Sequence, residues 1–302
     1  MSDISPQTPI EPLSLGNVVS AGIRLYRSHL KSYFLLALTV SLWSLLPILF
    51  FVSSGIFFVL NSRSLLNSPL TWLILVVGGI VLYLYVIGKC SVNSATISRL
   101  AFAELINQPE TVNIARSQVA PKLWKFVNTT LLLFLIFFGA SIVFGIVMVL
   151  PIINLLALFP AIAALLWLFT RFFIADTLLA IEDNLGVSSA ISRSWDLTKG
   201  NAWRIVLILV VSLLVTLPAQ LIIQLLTRGT IQTFVQPVIQ KSVTGNSSIN
   251  EVLFAATVYI LTLMLALLVN AVILPFWQAI KGVIYYDLRS RREGLGLKLR
   301  DR

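Results

Sequence analysis

Residues Val127–Leu150 read VNTTLLLFLIFFGASIVFGIVMVL, twenty-four positions without one Asp, Glu, Lys, Arg or His. A hydrocarbon core of about 30 Å is crossed by about 20 apolar residues in a helix. Backbone groups in lipid have no water to bond, and a segment this long satisfies its own only as a helix. Five further stretches follow the same rule: Tyr33–Leu60, Leu70–Ile87, Ile152–Thr170, Ile205–Leu226 and Val252–Phe276. The expected fold is therefore all-α: six transmembrane helices in three hairpins, joined by amphipathic helices.

Composition agrees. The chain is 58% hydrophobic and 11% charged, with mean hydropathy +0.93, whereas soluble domains carry about 25% charged residues. Its 302 residues divide into a disordered tail (1–13), a membrane domain (14–297) and a basic C-terminal tail (298–302). The longest polar gap, Gly88–Phe126, leaves no room for a sizeable soluble domain. Met1–Leu13 has no basic region leading directly into a short apolar core, so no cleavable signal peptide is expected. The lone cysteine, Cys90, offers no internal disulfide and reads as a small, half-buried residue.

Lys and Arg set the expected orientation. Arg24, Arg27 and Lys31 precede the first span. Lys89, Arg99, Arg116, Lys122 and Lys125 follow the second, and Arg171, Arg193, Lys199 and Arg204 the fourth. Lys281, Arg289, Arg291, Arg292, Lys298, Arg300 and Arg302 follow the sixth. The opposite side holds only Arg63, Arg228 and Lys241, a bias of 19 to 3 among the 22 basic residues. Such a bias over short connections places both termini in the cytoplasm, and a bacterial inner membrane is the expected site. The net charge of +10 is then a property of one face, suited to anionic lipid head groups rather than nucleic acid.

The connections carry a pattern. Leu15-Gly16 precedes Tyr33, and Leu185-Gly186 precedes Trp203, with seventeen residues from glycine to aromatic in each case. Thr111–Phe126, with Trp124, forms a weaker third copy. Glu104, Glu182 and Asp287 stand at matching exits. Three units are expected, each an amphipathic helix followed by a transmembrane hairpin. In Leu15–Tyr33 the residues Val18, Val19, Gly22, Leu25, Tyr26 and Leu30 share a helical stripe, with Arg24, Arg27 and Lys31 on other faces. Ser188–Lys199 repeats the design and ends at Gly200-Asn201. On the other side, Asn61–Pro69 reads as a loop, Pro151–Asn154 as a tight turn and Thr227–Asn250 as a loop with a short interfacial helix.

Ionisable groups inside a membrane are functional candidates by default, yet none lies mid-span. The milder candidates are Gln220, Gln224 and Asn270, the last five residues before Pro275. They fit either a solute site in a broken helix or helix–helix hydrogen bonds. Pro47, Pro160, Pro218 and Pro275 are expected to interrupt four spans. No catalytic, cofactor-binding or metal-ligating set is read; HExxH, a P-loop and G-x-S-x-G are missing and His29 is the only histidine.

Ser192–Arg204, SRSWDLTKGNAWR, resembles the "SW-LTKGN-WR" signature of the bacterial glycerophosphoryl diester phosphodiesterase membrane-domain family. Tyr285–Arg289 with Arg291-Arg292-Glu293-Gly294 resembles that family's "YYDLR-R-EG" ending. The resemblance covers Leu13 to about Leu297 and implies the six-span fold. In some members this domain precedes a soluble catalytic domain, of which this chain holds no counterpart, so the resemblance implies no phosphodiesterase activity here.

The leading expectation is a non-enzymatic scaffold, partner-binding or lipid-organising protein. Its interaction face would comprise Trp195, Lys199, Trp203, Arg204, Tyr286, Asp287, Arg289 and Arg291, with Asp287 paired to a neighbouring Arg. Its partners would be anionic lipids, a protein or a second copy of the chain, with no cofactor. A transporter or channel for an apolar or amphipathic solute is the alternative, and would show a polar cavity around Gln220, Gln224 and Asn270. A lipid-interface enzyme, the third, would cluster Glu182, Asp183, Asp196 and Asp287.

Overall fold

The computed structural model describes residues 14–65, 69–148 and 154–294. The described residues are 91% helical without strands, and among them six helices are long and apolar enough to cross a membrane. That is the make-up of a multi-pass membrane protein. In chain order the helices are α1 (Leu15–Ser28), α2 (Leu30–Leu65), α3 (Pro69–Leu105), α4 (Val112–Val119), α5 (Leu123–Met148), α6 (Asn154–Phe172), α7 (Ala175–Ile181), α8 (Val187–Thr198), α9 (Ala202–Thr230), α10 (Gln236–Val243) and α11 (Ile249–Glu293). The expected disordered tail, the basic tail 298–302 and most of the turn Pro151–Asn154 lie outside the described residues.

The order short helix, long helix, long helix begins at α1, α4 and α8, with the short α7 following the second occurrence and α10 standing inside the third. The first two short helices start on a hydroxyl cap. Ser14 accepts from the Asn17 amide and Thr111 from the Ile114 amide, satisfying an N–H that a first turn otherwise leaves unbonded. Gly200 ends α8's segment at φ +84°, a conformation glycine adopts without a Cβ penalty.

Five expectations need correction. Asn61–Pro69 reads as a loop, but α2 continues through Leu65 and α3 begins at Pro69. Leu15–Tyr33 is two helices, because His29 leaves helical geometry (φ −118°, ψ 28°) and puts Lys31 on α2. The polar connection after the second span begins late, since α3 runs on to Leu105. Small residues from Ser94 to Ala103 let that extension pack, and nearly all of it is buried. Pro47, Pro160, Pro218 and Pro275 do not break their helices; neighbouring packing tolerates the lost bond. Thr227–Asn250 is helical for most of its length. There Gln236 donates to Ile231 five residues back, a π-helical turn placed where Pro237 lacks an N–H.

The chain divides into two compact units. Unit 1 contains residues 1–29, 95–212 and 276–302; unit 2 contains 30–94 and 213–275. Within unit 1, α1 presents Val18, Val19, Ala21 and Leu25 inward, with Gly22 against Ile280. The ends of α3 and α11 pack closer still. A Cβ on Gly282 would stand 2.8 Å from the Ser98 carbonyl oxygen, the small-residue contact typical of close helix pairs. Ser98 Oγ donates to the Gln278 carbonyl (3.0 Å) and to its Oε1 (2.8 Å).

Unit 2 coheres differently. Its serines and threonines mostly return their hydroxyls to their own helix, as Thr39 to Leu35 and Ser54 to Phe50. Ser41 Oγ reaches from α2 to the Leu267 carbonyl (2.9 Å). Trp43 and Tyr85 meet edge to face at 5.7 Å with the Lys89 ammonium over both rings. Cys90 is half-buried and reduced, its Sγ near Val40 and Ser44.

Candidate functional site

Unit 1 concentrates the charged chemistry. Arg99, 9% exposed, grips Glu110 bidentately through Nε and Nη2 (2.8 and 2.9 Å) and donates Nη1 to the Ala180 carbonyl (2.8 Å). Lys122 Nζ donates to the Leu179 and Glu182 carbonyls (2.9 and 3.1 Å) and to Asp183 (3.3 Å). It thereby binds the last carbonyls of α7, where the helix dipole favours a cation. Lys281 pairs with Asp176 at 2.6 Å and lies over the Phe173 ring.

Five side chains from α8, α11 and the end of α7 close a ring. Arg193 Nε donates to Glu182 Oε1 (2.8 Å), which also accepts from the Tyr285 hydroxyl (2.8 Å). Arg289 Nη1 donates to the Tyr285 oxygen (3.3 Å) and its Nε to Glu293 Oε2 (2.9 Å). Glu293 Oε1 accepts from Arg193 Nη2 (2.7 Å), completing the circuit. Burial lowers the affinity of the Arg193 guanidinium for its proton, but Glu182 and Glu293 outweigh it and hold that pKa above its ordinary value. Beside the ring, Asp287 is 2% exposed and takes Arg204 at 3.0 Å and Arg291 at 3.1 Å.

The two stretches that carry the family resemblance are thus brought together. Arg193 and Arg204, at either end of Ser192–Arg204, bond Glu293 and Asp287, and Arg292 Nη2 donates to the Lys199 carbonyl. The anticipated Asp287–Arg pairing is present twice over. The placement of Tyr286 and Asp287 on an interaction face is corrected: both are buried, at 7% and 2% exposed. An ionised carboxylate is buried only when paired, and here its partners are the arginines of the same motifs. Arg204 and Arg289 are half-buried in that internal network, and the exposed Arg291 reaches into it through Asp287. Lys199 and Trp203 remain outside, with Trp203 73% exposed.

Trp195 is half-buried in an aromatic cage. It meets Trp167 edge-on at 5.2 Å and Phe172 at 5.6 Å. The Arg171 guanidinium lies 4.8 Å from the Trp167 ring centre and 5.1 Å from that of Trp195, within cation–π range. Sequence reading placed Arg171 only as a span-end charge. The spacing Trp167-x-x-x-Arg171, one helical turn, was the available signal.

Gln220 donates to Thr216 Oγ1 (3.0 Å), while Gln224 and Asn270 are exposed. Of the carboxylates a lipid-interface enzyme would cluster, Glu182, Asp183 and Asp287 face different basic partners and Asp196 is exposed. Among the described residues no group of three or more His, Cys, Asp or Glu could hold a metal ion. No family model, no curated protein and no solved structure matches the chain.

Proposed function

We propose that this is a non-enzymatic scaffold of the bacterial inner membrane, with both termini cytoplasmic, that organises anionic lipid through the surface of unit 1. One observation carries the reading. The described acidic side chains of unit 1 other than Glu104 and Asp196 are engaged by Lys or Arg, while Arg24, Arg27, Arg116 and Lys199 stand exposed with no acidic partner among the described residues. Internal pairing consumes the negative charge and leaves a positive surface. Exposed Trp124 and Trp203 (62% and 73%) belong at the membrane–water boundary, where the indole sits among head groups.

Each such cation near an anionic surface contributes about 1 kcal/mol. The two motifs support kinship with the phosphodiesterase membrane-domain family without importing its catalysis. The test is the anionic-to-zwitterionic ratio of lipid co-purified in mild detergent. The triple variant Arg24→Gln, Arg27→Gln, Arg116→Gln is expected to lower that ratio by at least about half; an unchanged ratio would remove the reading.

A further inference from the structure

In the continuous helix Ala202–Ser242 every fourth residue from Gln220 onward is polar: Gln220, Gln224, Arg228, Gln232, Gln236 and Gln240. All six belong to unit 2. Gln220 is half-buried and donates to Thr216 Oγ1. The other five are exposed, and among the described residues their side chains form no hydrogen bond or ion pair. Residues four apart in an α-helix stand about 40° out of line, so an ordinary helix would wind such a row off its own face. The π-helical turn Ile231–Val235 takes more residues per turn and falls back instead. It returns Gln236 and Gln240 toward the line of Gln224.

The depth of the row follows from α11. The Thr230 and Thr262 hydroxyls meet at 3.1 Å, the Phe234 and Phe254 rings at 6.1 Å, and Lys241 pairs with Glu251 at 2.6 Å. The two helices therefore run antiparallel, side by side. Residues 252–275 of α11 carry no charged side chain, and the same register sets Arg228 level with Met264, midway along them. The row thus lies at the depth of an apolar run that only lipid suits. From Gln220 to Gln240 the helix rises about 30 Å, the thickness of the hydrocarbon core.

Amides and a guanidinium turned unbonded toward lipid are unfavourable, and an ionisable group at that depth marks a substrate path by default. A second copy of the chain is a poor cover for the row. Leu221, Leu225 and Ile239 beside it are 47%, 70% and 56% exposed, whereas helices that associate in lipid present small residues to each other. A polar group at every turn, through the full thickness, suits a ligand that moves along it. The amides offer donors and acceptors in succession, and Arg228 offers one cation to a phosphate. A phospholipid head group fits this row while its acyl chains stay in the bilayer against the leucines.

We propose that the row from Gln220 to Gln240 is a track along which phospholipid head groups pass between leaflets, so that the protein equilibrates lipid across the bilayer. The proposal stands on unit 2 alone and does not depend on the anionic-lipid surface of unit 1. The full chain is reconstituted into vesicles of phosphatidylcholine and phosphatidylglycerol carrying a trace of head-group-labelled fluorescent phospholipid, and dithionite is added outside. Wild-type vesicles are expected to lose nearly all the fluorescence, whereas protein-free vesicles lose only that of the outer leaflet. The combined variant Gln224→Leu, Gln232→Leu, Gln236→Leu is expected to slow the inner-leaflet phase by at least about tenfold, and Leu225→Ala, beside the row, to leave it unchanged. If the combined variant does not fold, Arg228→Leu is read in the same assay with the same slowing expected. Bleaching confined to the outer leaflet in the wild type overturns the track, as does an undiminished rate in the row variants. Bleaching of a water-soluble dye trapped inside the vesicles overturns it as well, since the path would then be an open pore. A disulfide between two copies through Gln232→Cys in a Cys90→Ala background would assign the row to self-association and overturn it too.

Discussion

Unit 1 and unit 2 are both helical and both rich in apolar residues, yet they are held together by different means. In unit 1 the contacts are specific. Gly282 admits the Ser98 carbonyl, Asp287 sits inside between two arginines, and a five-membered ring joins α8 to α11. In unit 2 most hydroxyls turn back on their own helix, and Leu73, Ile74, Leu225 and Leu261 point outward. An outward leucine is no defect in lipid, which is as apolar as the side chain. Unit 1 also turns apolar side chains such as Phe134, Leu135 and Phe159 outward, so both units meet the demands of a membrane solvent; unit 1 adds the demands of one arrangement. The scaffold function proposed above accordingly rests on unit 1.

The contrast can be broken most forcefully at Asp287. Asp287→Ala removes the shared carboxylate from Arg204 and Arg291, and breaking a buried pair costs about 3–5 kcal/mol. The thermal midpoint in detergent is expected to fall well below that of the wild type. Glu251→Gln, in unit 2, removes an exposed partner of Lys241 and is expected to leave the midpoint unchanged, because exposed pairs contribute little. A large loss from Glu251→Gln would erase the distinction.

Next in size is a matched pair of glycines. Gly282→Ala sets a methyl 2.8 Å from a backbone oxygen and 3.0 Å from the Ala101 Cβ, an overpacking of about 1–3 kcal/mol. Gly78→Ala meets nothing within 4 Å and is expected to stabilise α3 by about 0.5–1 kcal/mol through helix propensity. The same substitution thus changes sign between the units, and unfolding in denaturing detergent reports it.

Smaller again is Tyr285→Phe. It takes one donor from Glu182 and the acceptor from Arg289 Nη1, opening the ring into a chain that Arg193 still holds, at a cost of about 1 kcal/mol. Combined with Arg193→Met it should give a non-additive loss, because the two share the Glu182 carboxylate. Strict additivity would mean that the ring is not a unit.

How legible this was depends on which force shaped each element. The spans were readable because lipid imposes a length and a composition on them, and Val127–Leu150 meets both without reference to any neighbour. The capping at Gly200 was readable because positive φ has few residues to choose from. Helix ends were not. Segment 88–105 reads as polar connection, but its serines, alanines and Asn93 are buried on α3, a fact set by what packs on them. The prolines misled for the same reason: a kink is local, while its repair comes from neighbours. Of the candidate face, Trp203 and Lys199 are exposed. Tyr286 and Asp287 went inside, since residue type alone does not say where a carboxylate's partners stand.

The central claim, that the exposed cations of unit 1 form one cytoplasmic surface, is tested most directly by sided cysteine labelling. In a Cys90→Ala background, Arg24→Cys, Arg116→Cys and Lys199→Cys are each treated in intact cells with a membrane-impermeant maleimide and again after permeabilisation. The account predicts that all three react only after permeabilisation. Labelling of any one of them in intact cells would contradict it.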